Sequence, residues 1–163
     1  MIIEKPKIYL ETTMFSFYHE EREHEEYKKY RAQVRAVFNR IRAGKYEPYT
    51  STFTIKEIMD ETDQANQAQM MSLITEYAMQ MLEISDEVMR IADLYIQERA
   101  VSPANATDAA HIAMAAVNGL DFIVSLNFAH IARTWTIEQV RRVNKREGYQ
   151  GIGIYKPLEV LEL

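Results

Sequence analysis

Residues Ala106–Asn127, ATDAAHIAMAAVNGLDFIVSLN, decide the fold. Their first half, Ala106 to Asn118, is the most strongly helical part of the chain. Ala109, Ala113 and Ala116 recur at spacings of four and three, which sets small side chains on one helical face suited to close packing on a sheet. Gly119 supplies the stop, because glycine takes up the left-handed conformation that closes helices. Asp121-Phe122-Ile123-Val124-Ser125 then forms a short apolar run with polar ends, the strongest single strand signal in the sequence.

The same alternation recurs on either side. The chain starts MIIEKPKIYL, which lacks the basic-then-apolar layout of a secretory signal and reads as a first strand through Lys7-Ile8-Tyr9-Leu10, ending at Glu11. An amphipathic helix is expected from about His24, with Tyr27, Tyr30, Val34, Phe38 and Ile41 on one face and Gly44 as its stop. Tyr46 to Thr50 reads as the second strand, with helices from Thr52 to about Glu61 and from Ala65 to Ala78. Met81-Leu82-Glu83-Ile84 reads as the third strand, and Ser85 caps a helix through Arg99. A last helix runs from about Thr136 to Arg146, and Gly151 to Tyr155 supplies a final edge strand before Pro157.

No internal repeat, low-complexity tract or Pro/Gly-rich linker divides the chain. Residues 1–163 are therefore read as one α/β domain with a central parallel sheet of four to five strands, helices on both faces and right-handed crossovers. In such sheets, sites form beyond the carboxyl ends of the strands where the strand order reverses.

Apolar residues make up 47% and charged residues 26% of the sequence, too apolar for a disordered chain. No run of about 18 apolar residues offers a membrane span. Cysteine is absent, which excludes disulfides, thiolate zinc sites and a cysteine nucleophile, and the location expected is cytoplasmic. The formal net charge of −5 argues against a protein that coats DNA through phosphate contacts alone. It is compatible with a metal-dependent nuclease, since bound cations neutralise an acidic site and attract phosphate.

The acids that matter stand near the strand ends. Glu11 closes the first strand, Glu57 lies in the helix after the second, Asp108 occupies the first turn of the alanine-rich helix, and Asn127 follows the fourth strand. Carboxylates converging from separate segments repel one another unless a cation or protons relieve them, and magnesium or manganese favours such oxygen ligands. Local roles stay open for each. Thr54-Ile55-Lys56-Glu57 and Asn105-Ala106-Thr107-Asp108 both fit capping boxes, Asn127 fits a cap for a short following helix, and Glu11 fits a solvated strand end.

Their neighbours divide in the same way. Thr12 and Thr13 suit support of a metal-bound water or a helix cap. His111 shares a helical face with Asp108 and suits a ligand or proton carrier, but more often such a histidine is hydrogen-bonded in a helix–sheet interface. His130, three residues after Asn127, suits the same site, a phosphate contact or a surface turn. Trp135, Met70, Met71, Met79 and Met81 read as core or partner contacts rather than a base-stacking platform. Arg133, Arg141, Arg142, Lys145 and Arg146 form the one dense basic segment, either a phosphate contact or a solvated face, and Lys56 is a weaker candidate of that kind.

Four segments then combine: IYLETTMFS at 8–16, YTSTFTIKEIMDE at 49–61, ATDAAHIAMAAVNGLDFIVSLNFAHI at 106–131 and YKPLEVLE at 155–162. In order and spacing they resemble the PIN-domain family, and in particular the VapC-like ribonuclease toxins of type II toxin–antitoxin systems. The resemblance implies a PIN-like domain and a Mg²⁺- or Mn²⁺-dependent endoribonuclease that hydrolyses RNA phosphodiester bonds without a covalent intermediate. It implies Glu11, Glu57 and Asp108 as metal ligands and, with Asn127, as the catalytic set; their neighbours Thr12, Thr13, His111 and His130 are the candidates for support. Two positions depart from the family's commonest pattern: Glu11 is one methylene longer than aspartate, and Asn127 replaces an aspartate and carries no charge. An antitoxin peptide on the early helices and a homodimer are the implied partners beside the RNA substrate, with no membrane. Two alternatives remain: an RNA-processing or structure-specific DNA nuclease on this fold, and a weakly active or inactive PIN scaffold that binds RNA or protein.

Overall fold

The computed structural model describes residues 4–163, so the first three residues of the apolar start read as part of a strand lie outside the described residues. Strand β1 (Lys7–Leu10) is followed by helices α1 (Thr12–Tyr18) and α2 (Glu25–Arg42), then β2 (Glu47–Ser51). Helices α3 (Thr52–Met59) and α4 (Gln64–Glu76) lead to β3 (Gln80–Leu82). Helix α5 (Asp86–Gln97), a 3₁₀ turn (Pro103–Asn105) and α6 (Ala106–Val117) lead to β4 (Phe122–Val124), while α7 (Thr134–Arg146), β5 (Gly153–Tyr155) and α8 (Pro157–Leu161) complete the order.

The five strands are all parallel, in the order β3-β2-β1-β4-β5. Strand β1 is central, and the chain builds outward from it first through β2 and β3, then through β4 and β5. The order reverses between β1 and β4, which makes the carboxyl ends of these two strands the place where a site is expected. The α/β sheet with helices on both faces is the expected architecture, and the strand count settles at five.

Alternation along β1 explains how both faces are covered. Ile8 and Leu10 join Phe15, Phe38, Leu73 and Val124 in a core beneath α1, α2 and α4. Tyr9 faces the other way, packing with Ile91, Ile112, Ile123, Val140 and Ile154 beneath α5, α6 and α7. This is the period of two that a strand buried on both sides requires. The alanines of α6 do what their size suggested: Ala109, Ala110, Ala113, Ala115 and Ala116 are all buried, letting that helix lie close to the sheet.

The helix ends follow the local chemistry. His24, Ser51, Asp63 and Ser85 cap α2, α3, α4 and α5 through side-chain acceptors. Gly44 and Gly119 follow α2 and α6 with φ of +81° and +69°, the left-handed turn expected of them. Two helices differ from the sequence expectation. Helix α1 has only seven residues, too few for a periodic pattern to declare itself. Helix α8 follows the last strand, with Pro157 in its first turn, where the fixed φ is tolerated. That helix is tied to α2 because the Arg40 guanidinium donates to the carbonyls of Val160 and Leu161 at 3.2 and 2.8 Å.

Candidate metal centre

The site begins with Glu11, the first residue beyond central strand β1. Its backbone N–H still bonds to the carbonyl of Val124 at 3.3 Å, so the carboxylate is fixed beside the end of β4. Only 2% of the residue is exposed. One carboxylate oxygen accepts the hydroxyls of Thr13 (2.6 Å) and Ser125 (2.5 Å), and the other accepts the backbone N–H of Thr13 at 3.2 Å. Glu11 is thus neither a solvated strand end nor merely a neighbour of a cap: it is itself the N-cap of α1. Thr12 and Thr13, which the sequence allowed as caps, lie inside the helix. The Thr13 hydroxyl also accepts the backbone N–H of Leu126 at 2.8 Å, clasping the ends of β1 and β4 together.

Glu57 lies six residues after its helix cap Ser51, not at the helix start, so the capping box drawn at Thr54–Glu57 does not form. Thr54 instead accepts the hydroxyl of Thr50 at 2.8 Å. The Glu57 carboxylate accepts the Thr12 hydroxyl at 2.8 Å and meets His111 Nε2 at 2.5 Å. His111 is fully buried, and its Nδ1 lies 2.6 Å from the Tyr9 hydroxyl. Ligand atoms of Glu11, Glu57 and His111 all fall within 4.8 Å of one another.

Asp108 stands in the first turn of α6 but outside that group of three. The box drawn from Asn105 is absent too, since Asn105 makes no capping bond and donates to Ser102 Oγ at 2.7 Å. Asp108 is half-buried and within electrostatic reach of His111, Glu57 and His130, with the Asn127 amide beside it. Asn127 Oδ1 accepts the N–H of His130 at 3.1 Å, closing a turn rather than capping a helix. His130 Nδ1 in turn lies 3.4 Å from the Asn105 amide nitrogen.

The electrostatics are those of crowded acids. Burial raises the Glu11 carboxyl above its ordinary value, and Glu57 adds to the effect despite the opposing His111 and hydroxyl bonds. Burial likewise raises Asp108, with Glu57 again contributing. For Glu57, burial also pushes upward but is outweighed by the hydrogen bonds of His111 and Thr12, which together hold it below the usual range. Two of the three carboxyls thus resist ionisation here, and a divalent cation would relieve both. The donor set fits a hard cation: carboxylate oxygens from a strand end, a helix interior and a helix start, ringed by hydroxyls.

Tyr9, Ser51 and Ser125 belong to this network although the sequence singled out none of them. Ser125 carried the one usable signal, its place at the carboxyl end of the strongest strand. The basic segment is less involved. Arg141, Arg142 and Lys145 are exposed on α7, and Arg146 pairs with Glu98 at 3.0 Å and with Glu147 at 3.4 Å. Lys56 is exposed. Met70 and Met79 are core residues as expected, whereas Met81 lies exposed on the edge strand. Trp135 is not core: half of it is exposed, and its indole N–H donates to the Arg99 carbonyl at 2.8 Å.

No family model and no curated protein matches the chain. Among solved structures it is similar to a chain of the crystal structure of VapBC2 from Rickettsia felis bound to a DNA fragment from their promoter. That match has a TM-score of 0.50 and 10% identity, covering 91% of this chain and 98% of the other. At that identity the likeness is one of fold, and it supports the PIN-like architecture of a five-stranded parallel sheet flanked by helices.

Proposed function

We propose that the chain is a metal-dependent endoribonuclease that hydrolyses RNA phosphodiester bonds. The observation that carries the proposal is the convergence of Glu11 and Glu57 with His111 at the switch between β1 and β4, with Asp108 and Asn127 at its rim. Glu11, Glu57 and Asp108 would hold Mg²⁺ or Mn²⁺. A cation so held would polarise a water nucleophile and neutralise charge on the phosphate.

The chain's own residues supply the rest. Thr13 and Ser125 fix the Glu11 carboxylate, so the ligand is aimed before any cation arrives. Thr12 does the same for Glu57. Asn127, uncharged, orients water or phosphate through its amide, while Glu11 spans the extra methylene from a backbone anchored to β4. His130 lies on the turn that Asn127 closes, and contact with phosphate is its proposed role.

The fold likeness to a chain of VapBC2, a structure bound to promoter DNA, together with the sequence resemblance, favours the toxin of a toxin–antitoxin pair. An antitoxin peptide on α1 and α2 and a homodimer are the partners proposed. Among the described residues no helix is long and apolar enough to cross a membrane.

The test is cleavage of single-stranded RNA, structured RNA and DNA by the purified protein with Mg²⁺ or Mn²⁺. RNA cleavage that EDTA abolishes, and that Asp108→Asn lowers by about a hundredfold or more, is the expected result. Preference for DNA would assign the fold to the other nuclease class. Cleavage untouched by both controls would sink the metal mechanism.

A further inference from the structure

A line of hydrogen bonds runs from the sheet into the candidate centre. Ser51 Oγ lies 2.6 Å from the Tyr9 hydroxyl, which lies 2.6 Å from His111 Nδ1. His111 Nε2 lies 2.5 Å from Glu57 Oε1, to which Thr12 also donates at 2.8 Å. Ser51, Tyr9 and His111 are fully buried, so each polar atom needs a partner within the protein. The rings of Tyr9 and His111 meet edge-on at 5.7 Å, and Phe53 packs on the imidazole at 6.0 Å.

With a neutral imidazole, donor and acceptor chemistry gives the line one direction. An ionised carboxylate only accepts, so the nitrogen facing Glu57 carries a proton. In a neutral imidazole the other nitrogen then accepts, and the Tyr9 hydroxyl donates to it. Having spent its proton on Nδ1, the Tyr9 oxygen takes the hydroxyl proton of Ser51. Ser51 accepts in turn from the Phe53 N–H at 3.2 Å as the cap of α3. Every donor and acceptor is used without conflict.

We infer that Tyr9 and His111 are positioning residues: Tyr9 fixes His111 as the Nε2–H tautomer, and His111 aims Glu57 at the cation instead of binding it. A protonated Nε2 has no lone pair for a metal, so proximity of His111 to the two glutamates reflects orientation of a ligand, not ligation. The consequence for cation affinity rests on the metal-centre reading above, whereas the tautomer does not.

The experiment therefore has two arms. In the first, long-range ¹H–¹⁵N spectra of the metal-free protein at neutral pH assign the His111 tautomer, its signal identified by its loss in His111→Gln. A protonated Nε2 with an unprotonated, hydrogen-bonded Nδ1 is expected, persisting when Mg²⁺ is added; the opposite tautomer, or two protonated nitrogens, overturns the inference. In the second, Mn²⁺ binding is followed by calorimetry. His111→Ala and Tyr9→Phe should each weaken it by about tenfold or more, while His111→Gln, whose amide keeps a donor toward Glu57, should stay within a few-fold of wild type. Equal loss in His111→Gln and His111→Ala makes His111 a ligand and overturns the positioning role. If the wild type binds no Mn²⁺, the metal-centre reading fails, and the spectra alone decide the direction of the line.

Discussion

Thr13 shows how much one hydroxyl can hold. It donates to Glu11 and accepts the N–H of Leu126, so it aligns a candidate ligand and joins two strand ends at once. Thr13→Val keeps the shape and removes both bonds, leaving the Leu126 N–H without its acceptor. A loss of about 1–3 kcal/mol in urea unfolding is expected. No change in stability would mean that the clasp contributes nothing. At this scale the sequence disclosed the acids but not their partners. Glu11, Glu57 and Asp108 could be found because acids at a strand end, in the helix after a strand and at a helix start are visible in one dimension. Tyr9 and His111 are 102 residues apart, and only the packing of α6 against β1 puts them in contact. Asp108 illustrates the converse: its position was legible, but its place outside the group of Glu11, Glu57 and His111 depends on where the start of α6 lies in space.

Elements were legible where composition left little choice. Strand β4 carries an apolar run and helix α6 an alanine-rich one closed by Gly119, and Ser85 and Gly44 mark helix limits by their own conformational preferences. Strand β3 was read one residue late and ends sooner, at Leu82, because an exposed edge strand of three residues has no alternation to fix its limits. Helices α1 and α8, of seven and five residues, are too short to show a periodic pattern. The glycine signal can be checked directly. Gly119 has φ of +69° and open space around its Cα, so Gly119→Ala introduces backbone strain without a clash. A loss of about 1 kcal/mol is expected, with RNA cleavage unaltered. A neutral or stabilising effect would show that the turn does not depend on left-handed backbone.

At the scale of the molecule, the sheet is held by two separate cores and the candidate centre sits at the rim where both approach β1. Phe38 anchors one of them, fully buried and edge-on to Phe15, Tyr18 and Tyr77. Phe38→Ala should cost about 3–5 kcal/mol by leaving a cavity between α2 and the sheet, seen as a lowered urea midpoint. A cost below about 1 kcal/mol would place the stabilising contacts elsewhere. The parallel order and the switch between β1 and β4 explain why acids from α1, α3 and α6 meet at all, since each follows or precedes a strand end on the same edge. That meeting is the central claim, and a crystal of the protein soaked in Mn²⁺ tests it most directly through the anomalous signal of the ion. A peak bonded to Glu11 and Glu57, reached by Asp108 and absent from Glu11→Gln, is expected. A fully soaked crystal with no peak among these carboxylates, or one whose only peaks lie away from the β1–β4 switch, would contradict it.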